Sequence, residues 1–321
     1  MRQLSTQNRW QAWKGLVLQA AALVLLLTAG VWFQRNLGLL GLALSELMFL
    51  VLAVGYTLAQ RTPLREVFPV SVPSVRDVFG TLFILAGGSA IGYMSIYLAA
   101  ALLPGQFAKV LKGLNSAISG DTLATFAVVA ILAPICEEAI ERGAVLSHFR
   151  SWEKKWAIIW VIGLFFGIMH TDPIRFVNTT VMGAACAYLM VKRDNFLLPV
   201  MLHFVNNGGA SLLKIIMPFN TDNTDALLEK MDPVLSLGAA MILFCAAPFC
   251  IAVSHHLFTD KLAPDASPEE KRARSRKISR FYIVAAIVMG VLLIGGLILM
   301  LTNKTFTGTY NSIAGSSSAG I

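Results

Sequence analysis

Residues 123–149 read LATFAVVAILAPICEEAIERGAVLSHF, an apolar run long enough to cross a bilayer that is interrupted by acids and an arginine. A charged side chain at that depth costs about 3 kcal/mol on insertion scales, so it normally faces a protein interior or a wet cavity. Residues four apart share one helix face, so Glu138 and Arg142 can pair, whereas Glu137 projects about 100° away. We therefore predict a buried helix in which Glu137 is free to act as a base. For Glu138 and Arg142, the spacing supports equally an ion pair that only fixes helix packing and a role in a functional site.

Two further apolar stretches carry motif residues at one-turn spacing, three of the four being polar. They are Phe166-x-x-x-His170 and His203-x-x-x-Asn207. With Glu137, Glu138 and Arg142, these motifs supply two acids, two histidines, an amide and an arginine. These are the groups needed to activate water and to stabilise an oxyanion. The sequence therefore predicts a membrane-embedded hydrolase.

Composition places these stretches in a multi-pass membrane protein. The 321 residues are 56% hydrophobic and 14% charged, with a mean hydropathy of +0.68, whereas soluble domains carry about 25% charged residues. We predict an all-α transmembrane helix bundle with nine spans, or eight if the short fifth one does not cross. The predicted spans are 15–33, 38–59, 77–103, 123–149, 156–171, 174–191, 196–217, 233–258 and 281–301. Residues 1–301 would form one domain, followed by a disordered polar tail at 302–321.

The distribution of basic residues predicts a cytoplasmic N-terminus and an outer C-terminus. In that orientation 18 of the 26 Lys and Arg residues fall in cytoplasmic segments and six in outer segments, as the positive-inside rule requires. The basic run 271–277 predicts a contact with anionic lipid headgroups. We therefore attribute the net charge of +8 to loop charges and contact with membrane lipid, and we predict no nucleic-acid partner. The topology fits the plasma membrane of a bacterium.

The three motifs resemble those of a known family. Ala133-Pro134-Ile135-Cys136-Glu137-Glu138 with Arg142-Gly143, then Phe166-x-x-x-His170 and His203-x-x-x-Asn207, are similar to the motifs of the CAAX-protease and bacteriocin-processing (Abi) family, which includes the type II CAAX prenyl endopeptidase. The resemblance covers roughly residues 120–210. It implies an intramembrane endopeptidase that cleaves a peptide or membrane-protein substrate. By this resemblance Glu137 and His170 would activate water, His203 and Asn207 would hold the oxyanion, and Glu138 and Arg142 would support the site.

Two further acids are additional candidates for the site. Glu141 stands where the family usually has an aromatic residue. It would either add a carboxylate near Glu137 or reach water at the cytoplasmic end of its helix, and we favour the second reading. Glu46, an acid within the second predicted span, could line the cavity. From the depths of the motif residues along their spans we expect Glu137, His170, His203 and Asn207 to converge on a polar cavity that opens toward the cytoplasm or the inner leaflet.

The use of a metal and two rival functions stay open at this point. Zinc could be held by Glu137 or Glu138 with His170 and His203. The spacing does not match His-Glu-x-x-His, so the sequence does not require zinc. The same residues could form a proton relay in an ion-coupled transporter. They could also hold helices together in a non-catalytic membrane scaffold or immunity protein.

Overall fold

Helix is the regular secondary structure throughout the parts of the chain that the computed structural model describes, residues 11–117, 122–216, 232–259 and 267–303. The helices are α1 (Ala12–Leu25), α2 (Val31–Ala59), α3 (Leu64–Val67), α4 (Val75–Leu102), α5 (Pro104–Ala117), α6 (Thr122–Phe126), α7 (Ala133–Glu138), α8 (Lys155–Met169), α9 (Phe176–Arg193), α10 (Leu197–Ile216), α11 (Pro233–Phe244), α12 (Ala246–Phe258) and α13 (Pro268–Thr302). Three π-helical segments continue the neighbouring helices: π1 (Leu26–Gly30), π2 (Ala127–Leu132) and π3 (Ala139–Val145).

Helices lie at each of the nine predicted positions, and several have the length of a membrane span. By length and composition, five segments of the described chain can cross a membrane: Ala12–Ala59, Val75–Leu102, Leu123–Val145, Pro233–Phe258 and Pro268–Thr302. Lys155–Met169 and Leu197–Leu213 are shorter apolar helices. The predicted all-helical membrane architecture is therefore confirmed, while the number of spans and the orientation of the N-terminus stay predictions.

The first of these segments is a helical hairpin, because the chain reverses at Gly38. This glycine has φ +56° and ψ −127°, a conformation that an L side chain rarely adopts. On the far side of the reversal, the Ser45 hydroxyl donates to the Gly30 carbonyl at 3.2 Å and accepts from the Gln34 amide at 3.3 Å. Gly41 packs directly on the Phe33 carbonyl, with no room for a Cβ. The two arms correspond to the predicted spans 15–33 and 38–59.

Small residues bring α4, α8 and α9 together around the predicted site. A Cβ on Gly183 of α9 would lie 2.7 Å from the Phe166 Cβ of α8, and a Cβ on Gly88 of α4 would lie 3.2 Å from the Met182 sulfur. Gly92, one turn further along α4, faces the Asn178 side chain. Helix α4 therefore approaches α9 closely at Gly88-x-x-x-Gly92, as expected for membrane helices that pack through small residues.

The basic run before the last predicted span is part of a helix. A capping box at Ser267 and Glu270 and the proline at position 268 start α13, which continues without a break to Thr302. Helix α13 therefore begins 13 residues before the predicted start of the last span at 281. The predicted disorder of the 302–321 tail concerns residues that lie, from 304 onward, outside the described chain.

Candidate active site

The residues of the first motif lie on a helix that changes its winding twice. Glu137 and Glu138 are the last residues of α7, between π2 and π3, and Arg142 lies in π3. Pro134, at the first turn of α7, has no N–H to give to the helix ladder, so the change from π to α winding costs fewer hydrogen bonds there. Single π turns inside α-helices are frequent at functional sites.

One buried carboxylate oxygen joins three parts of the site. Glu138 Oε1 accepts from Arg142 Nη1 at 3.1 Å and from His203 Nδ1 at 2.9 Å. Arg142 also donates through Nη2 to the Gly183 carbonyl at 2.8 Å, and its guanidinium carbon lies 4.5 Å from the centroid of the Phe166 ring. The side chains of Glu138 and Arg142 are fully buried. The pair expected from the sequence is therefore formed, and it links the first-motif helix to α8, α9 and α10.

The two histidines are held through Nδ1, which leaves both Nε2 atoms for other partners. His170 Nδ1 lies 2.9 Å from the Phe166 carbonyl, and His203 Nδ1 lies 2.9 Å from Glu138 Oε1. A carbonyl or carboxylate oxygen only accepts, so Nδ1 carries the proton in both rings. The Phe166 ring lies between them, with centroid distances of 4.7 Å to His170 and 5.6 Å to His203. His203 Nε2 is directed toward Glu137, whose Oε2 is 4.0 Å away.

The third-motif asparagine is also held in place. Asn207 donates from its amide nitrogen to the Val129 carbonyl of π2 at 3.0 Å and accepts from the Asn206 amide at 3.1 Å. A side-chain amide has two N–H donors, and one of those of Asn207 is not used in these contacts. Asn207 can therefore offer a hydrogen bond from a fixed position.

A cavity of about 130 Å³ adjoins these groups. Three of the four predicted catalytic residues line it, namely His170, His203 and Asn207, and Arg175, Asn178 and Asn206 add to its polar wall. Glu137 is not part of the lining. Its side chain is 18% exposed and lies against His203 Nε2. The four residues thus occupy one neighbourhood, but Glu137 and His203 meet at its edge.

The cavity lies in the half of the bundle where α8 ends and α9 begins. His170, Arg175 and Asn178 lie at or next to this turn. With a cytoplasmic N-terminus, the basic segment before α8 faces the cytoplasm, and this turn lies on the other side of the membrane. This does not fix the direction in which the cavity opens, because its wall also includes Leu202 and His203 in the first half of α10. The opening toward the cytoplasm or the inner leaflet therefore stays a prediction.

The additional acid Glu141 does not occupy either of its expected places. Its side chain is 2% exposed, so it does not reach water. Nor does it join the Glu137 cluster: its Oε1 accepts from the Gln19 amide of α1 at 2.9 Å. The expectation was wrong because α1 packs against this face of π3, a contact that the spacing of residues along one helix does not reveal.

Glu46 lies close to the site, as the sequence suggested it could. It is 6% exposed, and it is near enough to Glu137 and Cys136 to interact with both electrostatically. Its Oε2 atom has no hydrogen-bond partner among the described residues. Glu46, which lies in α2, therefore places another carboxylate near Glu137.

Sequence reasoning missed several residues of the cavity wall. Asn178 lies in the otherwise apolar span 174–191 and is followed by Thr179 and Thr180, so a polar cluster at membrane depth was the signal that could have identified it. Asn206 was visible only as the neighbour of Asn207. Cys186, which also lines the cavity, had no polar signal in the sequence.

The side chains do not form a metal site in this geometry. Glu138 already binds Arg142 and His203 through Oε1, and the Nδ1 atoms of both histidines are engaged. In the described part of the chain, no three His, Cys, Asp or Glu side chains are arranged to hold a metal ion. Both Nε2 atoms and the Glu137 carboxylate are nevertheless left for other partners, and a metal-bound histidine usually donates its other ring N–H to an oxygen. The zinc arrangement considered from the sequence therefore stays open.

Comparison with known proteins supports the resemblance in the three motifs. Residues 119–209 match the family model described as Rce1-like, Type II CAAX prenyl endopeptidase Rce1-like. This segment is a little over a quarter of the chain and contains all three motifs. The family resemblance inferred from the motifs is thereby confirmed, and the match supports a membrane endopeptidase. No curated protein and no solved structure matched the chain.

Proposed function

We propose that this protein is an intramembrane endopeptidase that hydrolyses a peptide bond with water activated by Glu137. The proposal rests on the different surroundings of two adjacent acids. Glu138 is fully buried and bound to Arg142 and His203, whereas Glu137 is partly exposed and has His203 Nε2 at 4.0 Å. Two neighbouring carboxylates in different environments are the usual basis for a division of labour in acid–base catalysis.

In the proposed reaction Glu137 accepts a proton from water, and the resulting hydroxide attacks the carbonyl carbon of the substrate. His170 orients this water through Nε2, which is a lone-pair acceptor in the neutral ring. When the tetrahedral intermediate collapses, the C–N bond breaks and the departing nitrogen takes the proton from Glu137. Glu137 is then ionised again, and no further reactant is needed.

The negative charge of the tetrahedral intermediate would be met by two donors. Asn207 supplies its second amide N–H. His203, when protonated on both nitrogens, supplies Nε2–H while its Nδ1–H keeps the hydrogen bond to Glu138. Donors held in position before the reaction give the largest single contribution in many enzymes of this kind. The Glu138–Arg142 pair would act by fixing His203 and not by contact with the substrate.

With the N-terminus in the cytoplasm, the end of the cavity at His170 and Arg175 would face the outer side of the membrane. The charge bias of the loops supports this orientation. The scissile bond would then enter the site from the non-cytoplasmic side, past the turn between α8 and α9. A peptide released outside, or the outer part of a membrane protein, is the corresponding substrate class.

A non-catalytic scaffold is the second candidate function. The network of Glu138, Arg142 and His203 joins the first-motif helix to α8, α9 and α10, and such a scaffold would use it. It does not require the groups that face the cavity, the Nε2 atom of His170 and the free N–H of Asn207. These unused donors and acceptors favour the enzyme.

The direct test is cleavage of a peptide library by the purified protein in lipid nanodiscs, followed by mass spectrometry. We expect wild type and the control Glu153→Gln, which alters an exposed loop acid, to produce the same fragments. Glu137→Gln keeps the shape of the side chain and removes the base, so it should produce none while it folds normally. Cleavage by Glu137→Gln at the wild-type rate would overturn the glutamate mechanism, and absence of cleavage by wild type across the library would favour the scaffold.

A further inference from the structure

A second, larger cavity lies on a different face of α9 from the candidate active site. It is a groove of about 730 Å³ between α4, α8, α9, α12 and α13. Val181, Ala184 and Ala185 of α9 line this groove, whereas Met182 and Cys186 line the active-site cavity. Helix α9 therefore separates the two spaces, and the groove has no part in the proposed hydrolysis.

The long walls of the groove are apolar. Ile84 and Ile91 of α4, Ile159 of α8, Ile251 of α12 and Val284 of α13 all face into it. At its edge, Trp156 and Trp160 of α8 are 58% and 50% exposed. Tryptophan is enriched where membrane helices meet the headgroup region, so these two residues place the edge near the membrane surface.

One end of the groove is strongly basic. Arg274, Lys277 and Arg280 succeed one another at intervals of three residues on α13, and all three line the groove. Within the described residues no acidic side chain lines the groove or forms an ion pair with these cations. His255 contributes a polar side chain to the wall of the groove, and its Nδ1 lies 3.0 Å from the Tyr188 hydroxyl. Lys192 and Lys277 are both near enough to His255 to interact with it electrostatically.

We propose that this groove binds one anionic phospholipid, with an acyl chain along the apolar walls and the phosphate among Arg274, Lys277 and Arg280. The proposal is independent of proteolysis. Basic pockets between transmembrane helices on the cytoplasmic side are suited to acidic headgroups, and the basic end lies on the side that the positive-inside rule assigns to the cytoplasm. Guanidinium groups bind phosphate oxygens in a bidentate manner. A zwitterionic lipid carries a cation beside its phosphate and so offsets less of the positive charge than an anionic lipid does. The structure therefore favours an anionic lipid.

Two triple variants with the same loss of charge test the headgroup site. Arg274→Ala/Lys277→Ala/Arg280→Ala removes the cations that line the groove. Lys271→Ala/Arg272→Ala/Arg276→Ala removes three exposed cations of the same helix that do not line it. Native mass spectrometry measures how much phosphatidylglycerol and phosphatidylcholine each protein retains. Each basic residue near an anionic surface contributes about fivefold. The groove variant should therefore bind phosphatidylglycerol at least tenfold more weakly than the control variant, with little change for phosphatidylcholine.

A second pair of variants tests the acyl-chain part of the groove. Val284→Trp should fill the groove and reduce bound phosphatidylglycerol, whereas Ile287→Trp, at a residue of α13 that is 60% exposed and outside the lining, should not. Peptide cleavage by all four variants should stay at the wild-type level, because the groove and the active site lie on different faces of α9.

Three results would overturn the proposal. Equal loss of phosphatidylglycerol from both triple variants would show that only diffuse surface charge matters. Equal binding of phosphatidylglycerol and phosphatidylcholine to wild type would exclude selection of an anionic headgroup. A dimer that dissociates in Val284→Trp and carries no lipid would show that a second copy of the chain occupies the groove.

Discussion

Replacing Arg142 by alanine should destabilise the protein more than any exposed substitution. Arg142 is fully buried and makes three contacts, with the Glu138 carboxylate, the Gly183 carbonyl and the Phe166 ring. Removal of one partner from a buried ion pair strands the other charge at a cost of about 3–5 kcal/mol. The Gly183 carbonyl would lose a buried hydrogen bond as well, at about 1 kcal/mol or more. We therefore expect a loss of about 4 kcal/mol or more.

Thermal unfolding in detergent, followed by tryptophan fluorescence, measures this loss. At 2–4 °C per kcal/mol, which is typical of larger domains, Arg142→Ala should melt roughly 10 °C lower than wild type. Arg142→Lys keeps a charge for Glu138 but cannot also donate to Gly183 and cover Phe166, so its melting temperature should lie between the two. Arg272→Ala, at an exposed residue of α13, is the control and should melt like wild type.

A double variant separates the stranded charge from the lost packing. Glu138→Gln/Arg142→Met removes both charges and retains an acceptor for His203, so it should recover at least half of the stability lost in Arg142→Ala. If Arg142→Ala melts at the temperature of Arg272→Ala, the guanidinium is in water and the reasoning from burial is wrong. If the double variant is no more stable than Arg142→Ala, the cost lies in packing and not in charge.

Further predictions concern the chemistry, the helix packing and the orientation. Asn207→Ala should lower kcat by roughly 10²–10³, the usual effect of losing one oxyanion donor, and a change in KM alone would assign it to binding. Gly183→Ala should lower both activity and melting temperature because its Cβ would lie 2.7 Å from the Phe166 Cβ, whereas Gly209→Ala, with open space at that point, should have little effect. A chelator such as EDTA should leave peptide cleavage unchanged. A loss of cleavage that added zinc reverses would contradict a mechanism without metal. In intact cells an impermeant thiol reagent should label Pro173→Cys but not Glu153→Cys, and the reverse pattern would invert the predicted orientation.

The sequence predicted those features of the site that depend on spacing along a single helix. The pairing of Glu138 with Arg142 followed from an interval of four residues, and the structure contains it at 3.1 Å. Polar groups at membrane depth predicted that the three motifs would meet, because each is costly unless it faces the others or water. The hydrogen bond between His203 and Glu138 is a specific instance of that general expectation.

Features that depend on contacts between helices could not be predicted in the same way. Glu141 is buried against Gln19, 122 residues earlier in the chain, and nothing in the pattern around either residue pairs them. The side of the membrane that the cavity faces depends on how far α8 and α10 are displaced along each other. Counting residues from the predicted ends of two spans does not give that displacement, so the expected opening toward the cytoplasm or the inner leaflet stays a prediction.

The alternating winding of the first-motif helix has a consequence for how related chains diverge. A π turn closes its hydrogen bonds over five residues where an α turn needs four, so π3 holds surplus chain between Glu138 and Leu146. Loss of one residue from this segment would let it relax to α winding with both ends in place, and the flanking packing would survive. Only side chains inside the segment would then change direction. A deletion between Glu138 and Arg142 would shorten the four-residue interval at which they pair and so alter the ion pair. The length of this segment therefore matters to the site as well as its residue types, and we expect a relative with a one-residue gap here to keep the bundle and to differ at the site.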